Sequence, residues 1–245
     1  QDIYSYLANG SIVAQGMDPY SAGPVQLLGA GNKLARSVPF IWANSPSPYG
    51  PVALGLAAVV SAVTSNSILL GVITHRLLSI AGIIVAGWAI SCLARRCRVS
   101  PESALWLGIL NPLTILHLVG GIHNESIMLG LLLVGMELGL RGVDKLDASR
   151  RSAYLALVAS GFCLSCAGMV KVTGFIGLGF VGMAYARRLI NAHGTARWKA
   201  LAYAIALQII VLVATVALIS VCTGISLGWI TGQGGAASIR SWLST

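Results

Sequence analysis

A chain of 245 residues that is 56% hydrophobic and only 9% charged is no ordinary soluble domain, in which about a quarter of residues are charged; its mean hydropathy of +0.81 makes long apolar runs read as membrane spans. The formal net charge of +9 raises nucleic-acid binding, but eleven of the sixteen lysines and arginines fall in three short clusters between apolar runs. That is the loop pattern that orients membrane helices, and it excludes nucleic acid as a partner.

The chain opens on Gln1 rather than Met and reads as a piece of a longer protein, with at least one further span before it. Ile3, Leu7, Gly10 and Ala14 keep helical spacing, with Asp2, Ser5, Asn9 and Gln15 on other faces. This predicts a helix lying on the membrane surface, ended by Gly16. Turn-rich loops follow at Asp18-Pro19-Tyr20 and from Ser45 to Pro51. The apolar stretch Pro51 to Thr64 is short for a span and reads as an interfacial or re-entrant helix. Leu69 to Ala94 is a span that ends in the first basic cluster, Arg95, Arg96 and Arg98.

About forty mostly apolar residues separate that cluster from Arg141, Lys145, Arg150 and Arg151. Both clusters are cytoplasmic by the positive-inside rule, so the chain crosses an even number of times, and at about 20 residues per span two crossings fit. The turn falls at Gly120-Gly121. Ser100 and Pro101 form an N-cap and first-turn pair, and Pro112 breaks or kinks the helix they start. Ser152 to Ala186 as one helix would be about 52 Å long at 1.5 Å per residue, so it also folds into two short spans, with a turn near Lys171 to Gly174. After Arg187, Arg188, Arg197 and Lys199, Trp198 to Cys222 is a single span leading outward. The expected organisation is an all-α polytopic transmembrane bundle: residues 1–68 a first extracytoplasmic loop with interfacial helices, 69–222 six transmembrane helices, and 223–245 an extracytoplasmic tail. Gly135 and Gly139 read as close helix packing, and the Cys163-x-x-Cys166 pair, inside an apolar run with no second pair, is not a zinc or redox motif.

Ionisable residues at membrane depth default to functional hypotheses. Glu137 is set aside as an i, i+4 partner of Arg141. His75 and Arg76 lie near the outer end of a span, where long side chains snorkel; Lys33 and Arg36 read as solvated. Arg240, in the tail, is either solvated or a phosphate contact. The informative group is Asp2 on the first outer helix, His123-Asn124-Glu125 just past the Gly120-Gly121 turn, and Lys171 at the next outer turn. The topology brings them to one membrane boundary although they lie far apart in sequence. A carboxylate there suits a general base, and a lysine suits a phosphate.

The stretch from Asp2-Ile3-Tyr4-Ser5-Tyr6 through Gly16-Met17-Asp18-Pro19-Tyr20 resembles the first outer loop of GT-C glycosyltransferases. Pro48-Tyr49-Gly50-Pro51, Asn111-Pro112-Leu113, Gly121-Ile122-His123-Asn124-Glu125 and Lys171-Val172-Thr173-Gly174 extend the likeness along essentially the whole chain. The pattern is most similar to the actinobacterial polyprenol-phosphate-mannose-dependent α-1,6-mannosyltransferases of the MptA/MptB type. The resemblance implies a GT-C bundle and an inverting enzyme of the plasma membrane, with its site on the extracytoplasmic face. Mannose would move from polyprenyl-phosphate mannose to a lipid-anchored mannoside, the α-1,6 backbone of lipomannan and lipoarabinomannan, among membrane lipids. It implies Asp2 as the base, Lys171 on the donor phosphate, and His123, Asn124 and Glu125 in the donor or acceptor cleft. Many relatives carry an acidic pair where this chain has Gln1 and a single Asp2; no cofactor is assigned, and a divalent metal stays open. Tyr4, Tyr6, Trp42, Tyr49 and Trp229 are available for sugar stacking or for an interfacial belt. Two other classes compete: a lipid-linked sugar flippase or transporter, which would place polar groups near the midplane where only Asn111-Pro112 offers a break, and a non-catalytic assembly partner, for which Asp2 would be dispensable.

Overall fold

The computed structural model describes residues 2–231; Arg240 and most of the expected tail lie outside the described residues. Among these the structure is helical throughout, with no strand. Helix α1 (Asp2–Ala14) is followed by three short helices, α2 (Pro24–Leu28), α3 (Lys33–Ser37) and α4 (Phe40–Ala43), and then by α5 (Pro51–Val63). The long elements are α6 (Ile68–Arg96), a broken pair α7 (Pro101–Gly108) and α8 (Pro112–Gly120), α9 (Glu125–Asp144), α10 (Arg150–Val170), α11 (Ile176–His193) and α12 (Arg197–Thr223). Four of them, α6, α9, α10 and α12, are each long and apolar enough to cross a membrane, and the α7–α8 pair, bent by 48°, makes a fifth if counted as one span. The chain is an all-α polytopic membrane protein.

Local chemistry sets these boundaries. Ser100 Oγ accepts the backbone N–H of Ser103 at 3.1 Å and Pro101 fills the first turn of α7. Asn111 Oδ1 caps α8 by accepting from Leu113 N at 2.8 Å, and Pro112 starts it. The bend between α7 and α8 is therefore a cap and a proline in succession. Ser149 caps α10, and Gly194 and Gly224, both left-handed, end α11 and α12.

Helix α10 is the centre of the bundle. It runs antiparallel to α9 and also touches α5, α11 and α12; 61% of its apolar window is buried, against 11% for α12. Contact with α9 is close enough that a Cβ on Gly135 would meet the Leu164 side chain at 2.7 Å, and Ser160 Oγ donates to Gly135 O at 2.6 Å. Buried Leu157, Leu164, Val181 and Tyr185 fill the space among α9, α10 and α11.

Two expectations need correction. Helix α1 does not expose a polar face: Ser5, Asn9 and Ser11 are buried together with Ile3, Tyr6, Leu7 and Ile12. The reason is that α5 and α6 pack directly on α1, and Gly10 lets the backbone of α5 approach at Ala57 where a Cβ would collide with it. Nor does His75 reach outward as a snorkelling residue does. It is 5% exposed, its Nδ1 bonds Gly71 O at 3.0 Å, and its ring stacks on Tyr6 at 6.1 Å.

The bundle has two polar ends. At one, Arg96 reaches both Glu137 and Asp144, Arg141 Nε lies 2.6 Å from Glu137, and Asp147 pairs with Arg188 and His193. At the other end of α9 and α10 sit Glu125 and Lys171. Because the α1–α5 contact is backbone-close at Gly10, we expect Gly10→Ala to destabilise the full-length protein by about 1–3 kcal/mol. Gly179→Ala, where a Cβ meets open space, should be neutral or slightly stabilising. Thermal unfolding in detergent checks both, and equal midpoints for the two variants would remove the packing argument.

Candidate functional site

Asp2 lies on α1, and Glu125 is the first residue of α9, so the Glu125 carboxylate sits at a helix N-terminus, where the backbone dipoles favour negative charge. Lys171 stands at the C-terminal cap of α10, where the dipole favours a cation. His123 is placed by a tight turn. A Cβ at Gly121 would come within 2.7 Å of the His123 ring, and Ile122 takes a left-handed φ of +55°, rare for a β-branched residue. Ile122 holds that conformation because its side chain is buried with Ile3, Tyr6 and Leu7 of α1. Backbone strain of this kind persists only where surrounding packing enforces it, and here it aims the imidazole at α1.

The result is a continuous polar chain. His123 Nδ1 lies 3.2 Å from Asp2 Oδ2 and 3.9 Å from Glu125 Oε2, and Glu125 Oε1 pairs with Lys171 Nζ. The His123 ring stacks on His117 at 4.2 Å. Side-chain exposures run from 23% for His123 to 50% for Lys171, so the cluster is open to a ligand at its Lys171 end. Tyr6 packs edge-on against Tyr49 at 5.1 Å. Burial first pushes the phenols of both above the usual tyrosine range, reinforced next by the neighbouring Tyr49 for Tyr6 and by the Asp2 charge for Tyr49. They stay neutral donors, and neither offers a phenolate base.

Among the expected site residues, Asp2, His123, Glu125 and Lys171 meet directly. Tyr49 joins them through Tyr6 and lines a small cavity with Asp2. Asn124 contributes its backbone carbonyl to Ile127 and Met128, while its side chain makes no cap bond to α9. Tyr4 is 37% exposed and shows no hydrogen bond or ring contact among the described residues. The structure adds His117, Ser5 and Asn9, which the sequence did not single out; the six-residue spacing of His117 and His123 across a double-glycine turn was the available signal. No three His, Cys, Asp or Glu side chains among the described residues are arranged to hold a metal ion; His123 and Lys171 are what lie against the two carboxylates.

Fold and cluster together define a polytopic helical membrane protein with an acid–imidazole–acid–ammonium chain at one end of its bundle. The chain belongs to the family described as alpha-(1->6)-mannopyranosyltransferase, N-terminal domain, which it matches over residues 1–187. It is 63% identical over its whole length to alpha-(1->6)-mannopyranosyltransferase B of Corynebacterium glutamicum, of which it covers 40%. It is 36% identical to an alpha-(1->6)-mannopyranosyltransferase of Mycobacterium tuberculosis, covering 47% of it, and 34% identical to alpha-(1->6)-mannopyranosyltransferase A of that organism, covering 44%. The chain thus spans somewhat less than half the length of these relatives. No solved structure matches it.

The Glu125–Lys171 pair is partly open to solvent, with side-chain exposures of 25% and 50%, and exposed pairs contribute about 0–1 kcal/mol. A double-mutant cycle of Glu125→Gln and Lys171→Gln on thermal stability should therefore give a coupling below about 1 kcal/mol. A coupling near 3 kcal/mol would make the pair a structural strut instead.

Proposed function

We propose that this chain belongs to a GT-C-type membrane mannosyltransferase and carries its reacting groups. In this reading the enzyme moves mannose from polyprenyl-phosphate mannose to a lipid-anchored α-(1→6)-mannoside at the outer face of the plasma membrane. The observation that carries the reading is the meeting of Asp2, His123, Glu125 and Lys171, from segments 46 or more residues apart, at one end of the bundle of a chain in this family. The basic clusters at the opposite end support an outward-facing site by the positive-inside rule. Six crossings then run through α6, the α7–α8 pair, α9, α10, α11 and α12.

In the reaction, the acceptor's 6-hydroxyl oxygen attacks the anomeric carbon of the donor. A new C–O bond forms and the bond from that carbon to the phosphate oxygen breaks. Its electron pair leaves with the phosphate, giving polyprenyl phosphate, and the hydroxyl proton passes to the Asp2 carboxylate. Attack opposite the leaving group turns a β-linked donor into an α-mannoside. Lys171 exchanges Glu125 for the donor phosphate and holds the charge that develops there. His123 donates its Nδ1–H to Asp2 and fixes the carboxylate's orientation.

The test uses the full-length protein reconstituted in lipid, with polyprenyl-phosphate mannose and an α-(1→6)-mannoside acceptor. Asp2→Asn should lower kcat about 10²–10⁴-fold with donor KM unchanged, and Lys171→Gln should raise donor KM. Transfer that survives Asp2→Asn would move the base to Glu125. A folded wild type that transfers no mannose, or that only moves the lipid across the bilayer, would overturn the enzyme reading.

A further inference from the structure

Beside Asp2 the structure holds a cavity of about 30 Å³, lined by Asp2, Ser5 and Asn9 of α1, by Trp42, and by the Ser45–Tyr49 loop. Asp2, Ser5 and Asn9 share one helical face, so the cavity is a slot running inward along α1 from the carboxylate. Ser5 is 7% exposed and Asn9 3%. On two of its lining residues, Ser5 Oγ and Asn9 Oδ1 are buried with no hydrogen-bond partner. Native proteins rarely leave such atoms unsatisfied, because each costs about 1–3 kcal/mol. The orientation of the amide is not arbitrary. Asn9 Nδ2 donates to Ser5 O at 2.8 Å, which only the nitrogen can do, so Oδ1 is the atom left over and it requires an O–H or N–H donor.

The walls are preorganised. Ser47 is 1% exposed and its N–H donates to Pro19 O at 2.9 Å; Tyr20 Oη donates to Tyr49 O at 2.9 Å; Gly50 lies against the backbone of Met169, leaving no room for a Cβ. The cavity has room for one or two water-sized groups, enough for a sugar hydroxyl but not for a sugar ring.

We propose that this slot anchors a hydroxyl of the acceptor sugar, the one next to the hydroxyl that reacts. The inference rests on the mannosyl-transfer reading above. The reacting 6-hydroxyl has one hydrogen, which goes to Asp2, so it cannot also satisfy Asn9 Oδ1. The hydroxyl nearest to it on a pyranose is O4, three carbons along through C5. With O4–H donated to Asn9 Oδ1 and Ser5 Oγ–H donated to O4, the C6 arm is left at the mouth of the slot, where Asp2 stands. Ser5 and Asn9 are then positioning residues that select the acceptor and orient its primary hydroxyl, with Trp42 beside the ring.

The experiment compares an α-(1→6)-linked dimannoside with its analogue lacking the 4-hydroxyl on the terminal ring, on full-length wild type, Ser5→Ala and Asn9→Leu. Initial rates of transfer are read alongside binding of each dimannoside by ligand-detected NMR. Wild type should bind and use the deoxy analogue at least tenfold more poorly, because the slot's polar atoms are left unpaired. In Ser5→Ala and Asn9→Leu the parent should weaken toward the analogue, shrinking the ratio to about threefold or less, with donor KM unchanged. Ser5→Ala removes one oxygen only and keeps the test alive where Asn9→Leu fails to fold. Equal binding of the two sugars by wild type would overturn the proposal and leave the slot to water. A ratio undiminished in both variants would overturn it as well, placing recognition of O4 elsewhere. Normal discrimination in binding without any transfer would instead count against the mannosyl-transfer reading and leave the slot standing.

Discussion

Gly135 lets the backbone of α9 lie against α10, where Ser160 Oγ donates to the Gly135 carbonyl at 2.6 Å. The two helices have 20 and 21 residues, so at 1.5 Å per residue each is about 30 Å long, the thickness of a bilayer's hydrocarbon core. Antiparallel helices of matched length begin and end together. The N-terminus of α9 therefore lies beside the C-terminus of α10, and Glu125 meets Lys171 without any loop having to reach. Helix α1 is brought to the same place by a second close approach, Gly10 on α5, and by the burial of Ile122 beneath Ile3 and Leu7. Glu125 and Lys171 thus stand on helix ends fixed by backbone contact, a more rigid support than loops provide.

Charge is excluded from the middle of these helices and collects at both ends, but the two ends are built differently. At the basic end Glu137 is 3% exposed and is enclosed by Arg96 and Arg141, the latter also 5.4 Å from the Trp88 ring centre. A buried carboxylate in that position requires its partners, since removing one leaves an uncompensated charge. Its role is to tie α6 to α9. At the opposite end the charges are a quarter to a half exposed, joined in a row, and bordered by a cavity whose lining residues Ser5 and Asn9 carry unsatisfied oxygen atoms. That contrast in burial separates a structural network from a site more firmly than residue type does, because both ends contain paired acids and bases.

Much of the helical layout is legible in the sequence because hydropathy, caps and prolines act locally. The span read from Leu69 to Ala94 is the helix Ile68–Arg96, the Pro112 break is the bend between α7 and α8, and the turns at Gly120-Gly121 and at Lys171 fall where charge parity puts them. Parity alone also implies that Asp2, His123 and Lys171 share one end. What local pattern does not carry is which faces are covered. The Ser, Asn and Gly residues of α1 suit an interfacial helix as well as one enclosed by neighbours, and only the tertiary contact with α5 and α6 decides. The same holds for His75, which is buried by Tyr6 from another element, and for the Glu125–Lys171 and Arg96–Glu137 pairs, whose partners are 46 and 41 residues apart.

The pairing of Lys171 with Glu125 bears on how such a site binds a phosphate-bearing ligand. A lone ammonium at the edge of a bilayer is held ready only at a cost in desolvation, whereas one already paired is stable but must give up its partner. The cost of that exchange depends on exposure. A partly exposed pair contributes little to stability, so in the proposed reading a phosphate with its larger charge displaces the carboxylate at little cost. The displaced Glu125 is not stranded, because His123 Nδ1 lies within 3.9 Å of its other oxygen. Asp2 lies 3.2 Å from the same nitrogen, so the cluster is joined end to end through His123. Partly exposed pairs in a row can exchange partners in a way that a buried pair, such as Glu137 with its arginines, cannot without stranding a charge.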